Sequence, residues 1–325
     1  MTLLTLMPRL RGGRWLTAFI LAALSWCLSG CSQRELCYDH SHVSPVILEF
    51  DWSQAPDATP ASMVVWFFSV SSDEAYRFEI TGGDGVSRSR FDGLVKVRPG
   101  SYRVLCHNGS TDNNSEDGES FEAYRILTRS DAVLSPMMRS DDAPLPDSAG
   151  EQPVRSQASP LYADVPDGVV TIEPAADHDT YVRFTPREVT AVYEVVITGV
   201  ENMRSDTEAS AVLTGMAEAW SPSAGIPAGC EVVIPFGLRQ DGPDCLRGSL
   251  VTFGDRAPHD VRHTLRVYTS YRYYYDFDVT DRLHDAADPR HVVIELEGIK
   301  LPVSGDGMTP GVNDWGDADD VEILM

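Results

Sequence analysis

Apolar and polar positions alternate along this chain with a period of two far more often than apolar residues recur at helical spacing. Val46, Leu48, Phe50 and Trp52 share one parity and are separated by Ile47, Glu49 and Asp51, which places the first set on one face of a strand. Tyr76, Phe78 and Ile80 alternate with Arg77, Glu79 and Thr81, and the Gly82-Gly83-Asp84-Gly85 run behind them predicts a hairpin to the next extended segment. Leu94 to Val97 and Ser101 to Cys106 read as a second hairpin turning at Pro99-Gly100, where proline presets the first turn dihedral and glycine accepts a positive one. The nearly unbroken apolar run from Met63 to Val70 predicts a central strand covered on both faces.

The second half continues the pattern at Tyr181 to Phe184 and Ala191 to Thr198. Leu265, Val267, Tyr271, Tyr273, Tyr275, Phe277 and Val279 hold one parity, with Arg266, Ser270, Arg272, Asp276 and Asp278 on the other, which reads as one long amphipathic strand. Val292, Ile294 and Leu296 predict a further strand, and Val321 to Leu324 a terminal one. Glu208 to Trp220 fits helix or strand and is taken as strand; the one helical turn expected runs from a cap at Thr280 or Asp281 to Ala287. Many short extended segments with turn residues every ten or so positions predict an all-β chain of two antiparallel β-sandwiches.

Residues 129–160 break the pattern. Pro136, Pro144, Pro146, Pro153 and Pro160 stand among Ser, Asp and Ala, the composition of a linker or long surface loop. The expected division is therefore a sandwich at 43–128, this linker at 129–160, and a second sandwich at 161–325.

The first thirty residues are of another kind. Arg9, Arg11 and Arg14 precede an apolar run from Trp15 to Leu28 and then Leu28-Ser29-Gly30-Cys31, the order of a secretory signal. The run falls short of the roughly 20 residues that a spanning helix needs. Small residues directly before a cysteine resemble the lipobox of bacterial lipoproteins, which implies a lipid, palmitate included, on Cys31 as the first mature residue. Residues 1–30 would then be a signal peptide and 31–42 a tether.

The 325-residue chain carries a net charge of −23, and the signal removes three arginines and no acid. So acidic a field repels phosphate backbones and anionic lipid, which excludes nucleic acid as an expected partner and leaves acyl chains as the membrane contact. In an oxidising envelope Cys37, Cys106, Cys230 and Cys245 can supply two disulfides, with Cys230 and Cys245 clamping a hairpin and Cys37 with Cys106 as the remaining pair. Four buried free thiols are the equal alternative.

Motifs for chemistry are scarce. The sequence holds no Walker loop, no His-Glu-x-x-His and no Gly-x-Ser-x-Gly. Asp112, Asn114, Glu116 and Asp117 before Gly118 imitate a calcium loop, but the glycine falls one place late and the closing glutamate is missing. His259, His263, His284 and His291 lack zinc-like pairing with cysteine and read as surface histidines. No cofactor, metal or enzyme activity is therefore expected. Tyr268 and Tyr274, on the face opposite the odd-numbered tyrosines, are the candidate contacts for a glycan.

From Arg34-Glu35-Leu36-Cys37-Tyr38-Asp39-His40 onward the chain resembles the fimbrillin-like lipoproteins of Bacteroidales. The resemblance rests on Phe50-Asp51-Trp52, Arg98-Pro99-Gly100-Ser101-Tyr102, Val104-Leu105-Cys106-His107-Asn108, Phe121-Glu122-Ala123-Tyr124, Gly199-Val200-Glu201-Asn202 and Leu213-Thr214-Gly215-Met216. It continues through Tyr274-Tyr275-Asp276-Phe277-Asp278-Val279-Thr280-Asp281, Asp288-Pro289-Arg290-His291 and Asp314-Trp315. It implies transthyretin-like sandwiches in an outer-membrane lipoprotein, at the cell surface or the periplasmic face, that anchors or accompanies a fimbrium and meets its subunits by strand addition. Asp147-Ser148-Ala149 resembles the short O-glycosylation site of that phylum, with Ser148 as the acceptor. A surface glycan-binding lipoprotein is the alternative function.

Overall fold

The computed structural model describes residues 43–81, 93–109, 111–131, 144–174, 180–256, 258–271, 273–303 and 316–317. Cys31, Cys37, the signal, the tether and the segment Val321 to Leu324 lie outside them.

Strand β1 (Ser44–Phe50) buries Val46, Leu48 and Phe50 as its period predicts. It lies between β4 (Gly93–Val97), antiparallel, and β10 (Thr180–Phe184), parallel. The facing layer carries β2 (Ser62–Ser69) between β3 (Ala75–Thr81) and β5 (Gly100–Asn108), extended by β8 (Tyr162–Asp164), β9 (Val170–Ile172) and β11 (Arg187–Glu188). Val46, Leu48, Val182 and Phe184 from one layer meet Met63, Val65, Phe67, Val104 and Cys106 from the other. Each such fully buried aliphatic or Phe side chain contributes about 1.5–3 kcal/mol.

Both predicted hairpins in this region are crossings instead. β3 pairs with β2 while β4 pairs with β1, and β5 returns to β2. Turn residues mark where a chain reverses, not whether the next strand stays in the same layer.

The second sandwich repeats the plan. β12 (Ala191–Glu201) lies between β18 (His291–Lys300), parallel, and β15 (Leu246–Thr252), antiparallel. In the facing layer β13 (Ala209–Ser221) lies between β14 (Ile226–Gln240) and β16 (Thr264–Thr269), with β17 (Tyr273–Asp278) beyond. Counted from its own first strand, each sandwich thus sets the first strand between the fourth, antiparallel, and a late strand, parallel, and the second between the third and the fifth. The far end of β14 also pairs with β15, so the two layers are continuous. Residues 316–317 add a short parallel strand, β19 (Gly316–Asp317), to β17.

The boundary expected at residue 160 falls elsewhere, because β8, β9 and β10 complete the first sandwich. The hairpin of β6 (Asn114–Asp117) and β7 (Arg125–Thr128), assigned from sequence to the first sandwich, pairs through Ile126 and Leu127 with β13 of the second. The described residues 111–131 and 144–160 are therefore parts of an insertion of the first sandwich that dock on the second. Phe68, Leu105, Tyr124, Ile126, Leu161, Trp220 and Phe253 form a buried cluster where the sandwiches meet, which is why the outer face of β2 is also apolar.

The described part of the expected linker, 144–160, is not loose chain. Arg155 N donates to Val233 O at 3.0 Å and Val233 N to Pro153 O at 3.0 Å. Ala149 packs with Val212, Val233 and Tyr268. This strap covers the outer face of the β13–β14–β16 layer.

Candidate functional site

The candidate glycan contacts are under that strap. Tyr268 is fully buried and its hydroxyl donates to Pro144 O at 2.6 Å. Tyr274 packs on the cluster holding Tyr268, and the Arg266 guanidinium lies 3.9 Å over its ring. Tyr268 and Tyr274 do share the face away from the core, but that face is covered by the strap rather than open, and these two residues form no exposed aromatic platform for a sugar. The hydroxyl of Ser148 is turned inward, donating to Thr264 Oγ1 at 2.8 Å and 3.3 Å from Thr214 Oγ1. An exposed acceptor hydroxyl, expected of a flexible linker, is not what this position offers.

Cys106, Cys230 and Cys245 are free thiols. The expected Cys230–Cys245 clamp fails because Cys230 sits near the start of β14 and Cys245 beyond its end. Ten residues of strand separate Cys230 from the end of β14 by about 33 Å, against a limit of about 7 Å between bridged α-carbons. Cys230 lies exposed, donating to Glu218 at 3.2 Å. Cys106 is in the first core, where burial pushes its thiol well above the usual range.

The structure brings together a group that sequence reading treated as scattered surface histidines. Asp255 leaves β15 through Gly254, whose φ of +94° suits glycine. Ala217 N donates to Gly254 O at 3.0 Å and fixes this loop against β13. The Asp255 carboxylate is nearly buried and faces three imidazoles: His259 Nδ1 at 2.6 Å, His284 Nε2 at 3.3 Å and His263 Nε2 at 3.4 Å. His284 closes the short helix α1 (Thr280–His284). His263 precedes β16 and is fully buried, with Nδ1 3.0 Å from the Thr214 carbonyl.

β13 makes room for that ring. Its register slips between Leu213 and Met216, and a β-carbon on Gly215, at φ +80°, would stand 2.8 Å from His263 Nδ1. A bulge here turns the Thr214 carbonyl toward the imidazole. Asp255 Oδ1, His263 Nε2 and His284 Nε2 are buried and make no hydrogen bond. Burial raises the carboxyl of Asp255, but the facing His263 and His259 rings outweigh it and hold it below the ordinary range. His291, the fourth histidine, stands apart in a surface pair with Asp288 at 3.0 Å. The regular spacing Asp255-x3-His259-x3-His263 was a signal available in the sequence.

This cluster lines one side of a cleft of about 690 Å³ whose other walls include Trp220, Pro227, Leu283 and Arg290. No nucleophile with an adjacent base stands in it. The second feature of note is an edge: among the described residues β18 pairs on one side only, with β12, along ten residues of alternating burial.

A family model described as a domain of unknown function, DUF5119, matches residues 30–237. Over 105 residues the chain is 30% identical to a proposed fimbrium anchoring subunit, Fim4B, of Bacteroides ovatus. That stretch takes in 30% of this chain and 28% of the relative, so the match spans under a third of its length. A crystal structure of a proposed adhesin from Bacteroides ovatus superposes with a TM-score of 0.60 at 16% identity, over 84% of this chain and 98% of the other. The fimbrial anchor protein Mfa2 from Porphyromonas gingivalis superposes at 0.51 with 14% identity, over 78% and 90% of the two chains. At such identities these structures share the fold.

Proposed function

The chain belongs to the DUF5119 family, and from that premise we propose that it is a lipid-anchored structural subunit of the cell envelope, of the kind that holds or accompanies a fimbrium. The observation that carries this reading is the 30% identity with a relative whose name proposes fimbrium anchoring, on a fold shared with a fimbrial anchor protein. Two sandwiches of one strand order, joined by a docked insertion, support a structural role. The family match opens at residue 30, beside the cysteine that would carry the lipid. Among the described residues no helix is long and apolar enough to cross a membrane, and Cys31 is the proposed point of attachment. The outer membrane is the proposed location, with fimbrial subunits as partners.

Strand addition needs an edge with unpaired backbone groups, and β18 offers the longest among the described residues. The test is a strain carrying Cys31→Ser beside a deletion strain. Expected are loss of the protein from the membrane fraction in the first, and shed or shortened fimbriae in both. Normal fimbriae in the deletion strain, with no fimbrial subunit recovered by crosslinking to the wild-type protein, would overturn the reading.

A further inference from the structure

We propose that Asp255, His259 and His284 form a binding site for a divalent transition-metal ion, zinc by its donor chemistry, with His263 buried behind the carboxylate. The donor atoms of these three residues all lie within 4.8 Å of one another. The site lies beyond the residues matched by the family model, which end at 237.

The argument begins with the proton on His263. Its Nδ1 faces a carbonyl at 3.0 Å, and a carbonyl only accepts, so Nδ1 holds the hydrogen. In the neutral ring Nε2 then presents a lone pair to Asp255 Oδ1 at 3.4 Å, with both atoms buried and unpaired by hydrogen bonds. His284 Nε2, also buried and without a hydrogen bond, lies 3.3 Å from Oδ2. Buried acceptors opposed without a donor are costly, and a cation among them relieves the cost.

A proton on one ring satisfies one of these contacts; a metal ion satisfies Oδ2, His259 Nδ1 and His284 Nε2 together. Ligand bonds of about 2.0–2.1 Å in tetrahedral geometry set neighbouring donors about 3.3 Å apart, the separation found between Asp255 Oδ2 and His284 Nε2. His259 Nδ1, now at 2.6 Å, has to withdraw by less than about 1 Å to reach that spacing. Imidazole nitrogens with one carboxylate and no thiolate suit zinc and exclude the soft ions that need sulfur.

His259 is strained in a way that serves the site. Its φ is +62°, a conformation that costs a non-glycine residue of order 1–3 kcal/mol, and it brings an otherwise exposed ring onto the carboxylate. Three protein ligands leave the fourth position toward the cleft for water or a donor from outside.

The experiment is calorimetric titration of the full chain, stripped with chelator, with zinc chloride, alongside the His259→Gln, His284→Ala and His291→Ala variants. The expected result is one tight ion per chain, lost or weakened at least tenfold in the first two variants and unchanged in the third. Cobalt should give visible bands of tetrahedral intensity that the His284→Ala variant lacks. His259 is exposed, so its variant keeps the fold and reads the site even if His284→Ala does not. Binding no weaker in His259→Gln than in wild type, or no stoichiometric ion at all, would mean that protons alone hold the cluster.

Discussion

Single side chains in this protein are held by neighbours that leave little freedom of protonation or space. His107 is the clearest case. Its Nδ1 meets the Asn108 carbonyl at 3.0 Å and so carries the hydrogen, and its Nε2 accepts from the Tyr124 hydroxyl at 2.7 Å, a buried neutral pair. Burial lowers the His107 pKa from its ordinary value; the Glu116 and Glu79 carboxylates pull it up and Arg77 pushes it down, and burial wins. As pH falls below about 6.5 the unfolded chain takes up a proton that the folded chain refuses, so stability is full above that value and declines as pH falls toward the lowered folded value. Urea unfolding measured from about pH 7 to about pH 5 should show wild type losing up to about 1.4 kcal/mol per pH unit more than His107→Gln; parallel slopes would count against a neutral His107. Tyr124→Phe leaves Nε2 buried without a donor and should cost about 1–3 kcal/mol at neutral pH. Gly215→Ala sets a β-carbon 2.8 Å from His263 Nδ1 at a φ of +80°, and thermal melting should show a loss of about 1–3 kcal/mol from backbone strain alone.

At the scale of elements, the legible and the hidden parts of the fold separate for a physical reason. Period-two alternation located β1, β12 and β18 because each has one face on a core. It merged β16 and β17 into one strand because their pairing, Tyr268 opposite Tyr274 and Thr264 opposite Asp278, joins residues of equal parity. Opposed residues point to the same face, so parity runs unbroken through the turn, and Ser270-Tyr271-Arg272 offers neither glycine, proline, asparagine nor aspartate to mark it. The strap was hidden because its hold is made by a few long contacts rather than by a periodic face. Arg266 is the main one: it grips both oxygens of Asp276 at 2.6 Å, donates to Pro144 O at 2.9 Å and stacks on Tyr274. Arg266→Lys keeps the charge and loses the fork. It should lower stability by about 1–2 kcal/mol, with backbone amides of 144–154 exchanging faster than those of β13; unchanged exchange in the strap would show that the apolar contacts of Ala149 suffice. The three histidines were hidden in another way, since Asp255 and His284 meet only through the return of α1 to the end of β15.

For the whole molecule the decisive feature is that the first sandwich reaches across to complete the second. β7 pairs with β13, Arg155 joins Glu218 in a partly buried ion pair, and Ile126 sits in the cluster between the sandwiches. Two sandwiches on a plain linker would melt separately, each with its own midpoint. With the insertion in place neither can open without exposing the shared cluster, so scanning calorimetry should give one transition whose van't Hoff and calorimetric enthalpies agree. Ile126→Asp puts a charge into that cluster and should split the transition in two while leaving the β-rich circular dichroism of the resting protein intact, because the separate cores around Val46 and Val195 are untouched. A single unsplit transition in that variant would assign the coupling to the strap instead. The coupling also bears on load: under the proposed attachment at Cys31, force would enter the described fold at β1, which is hydrogen-bonded on both sides to β4 and β10. A strand so placed yields only by shearing two ladders together, and the weld passes the load to the second sandwich without relying on the short connection between β11 and β12.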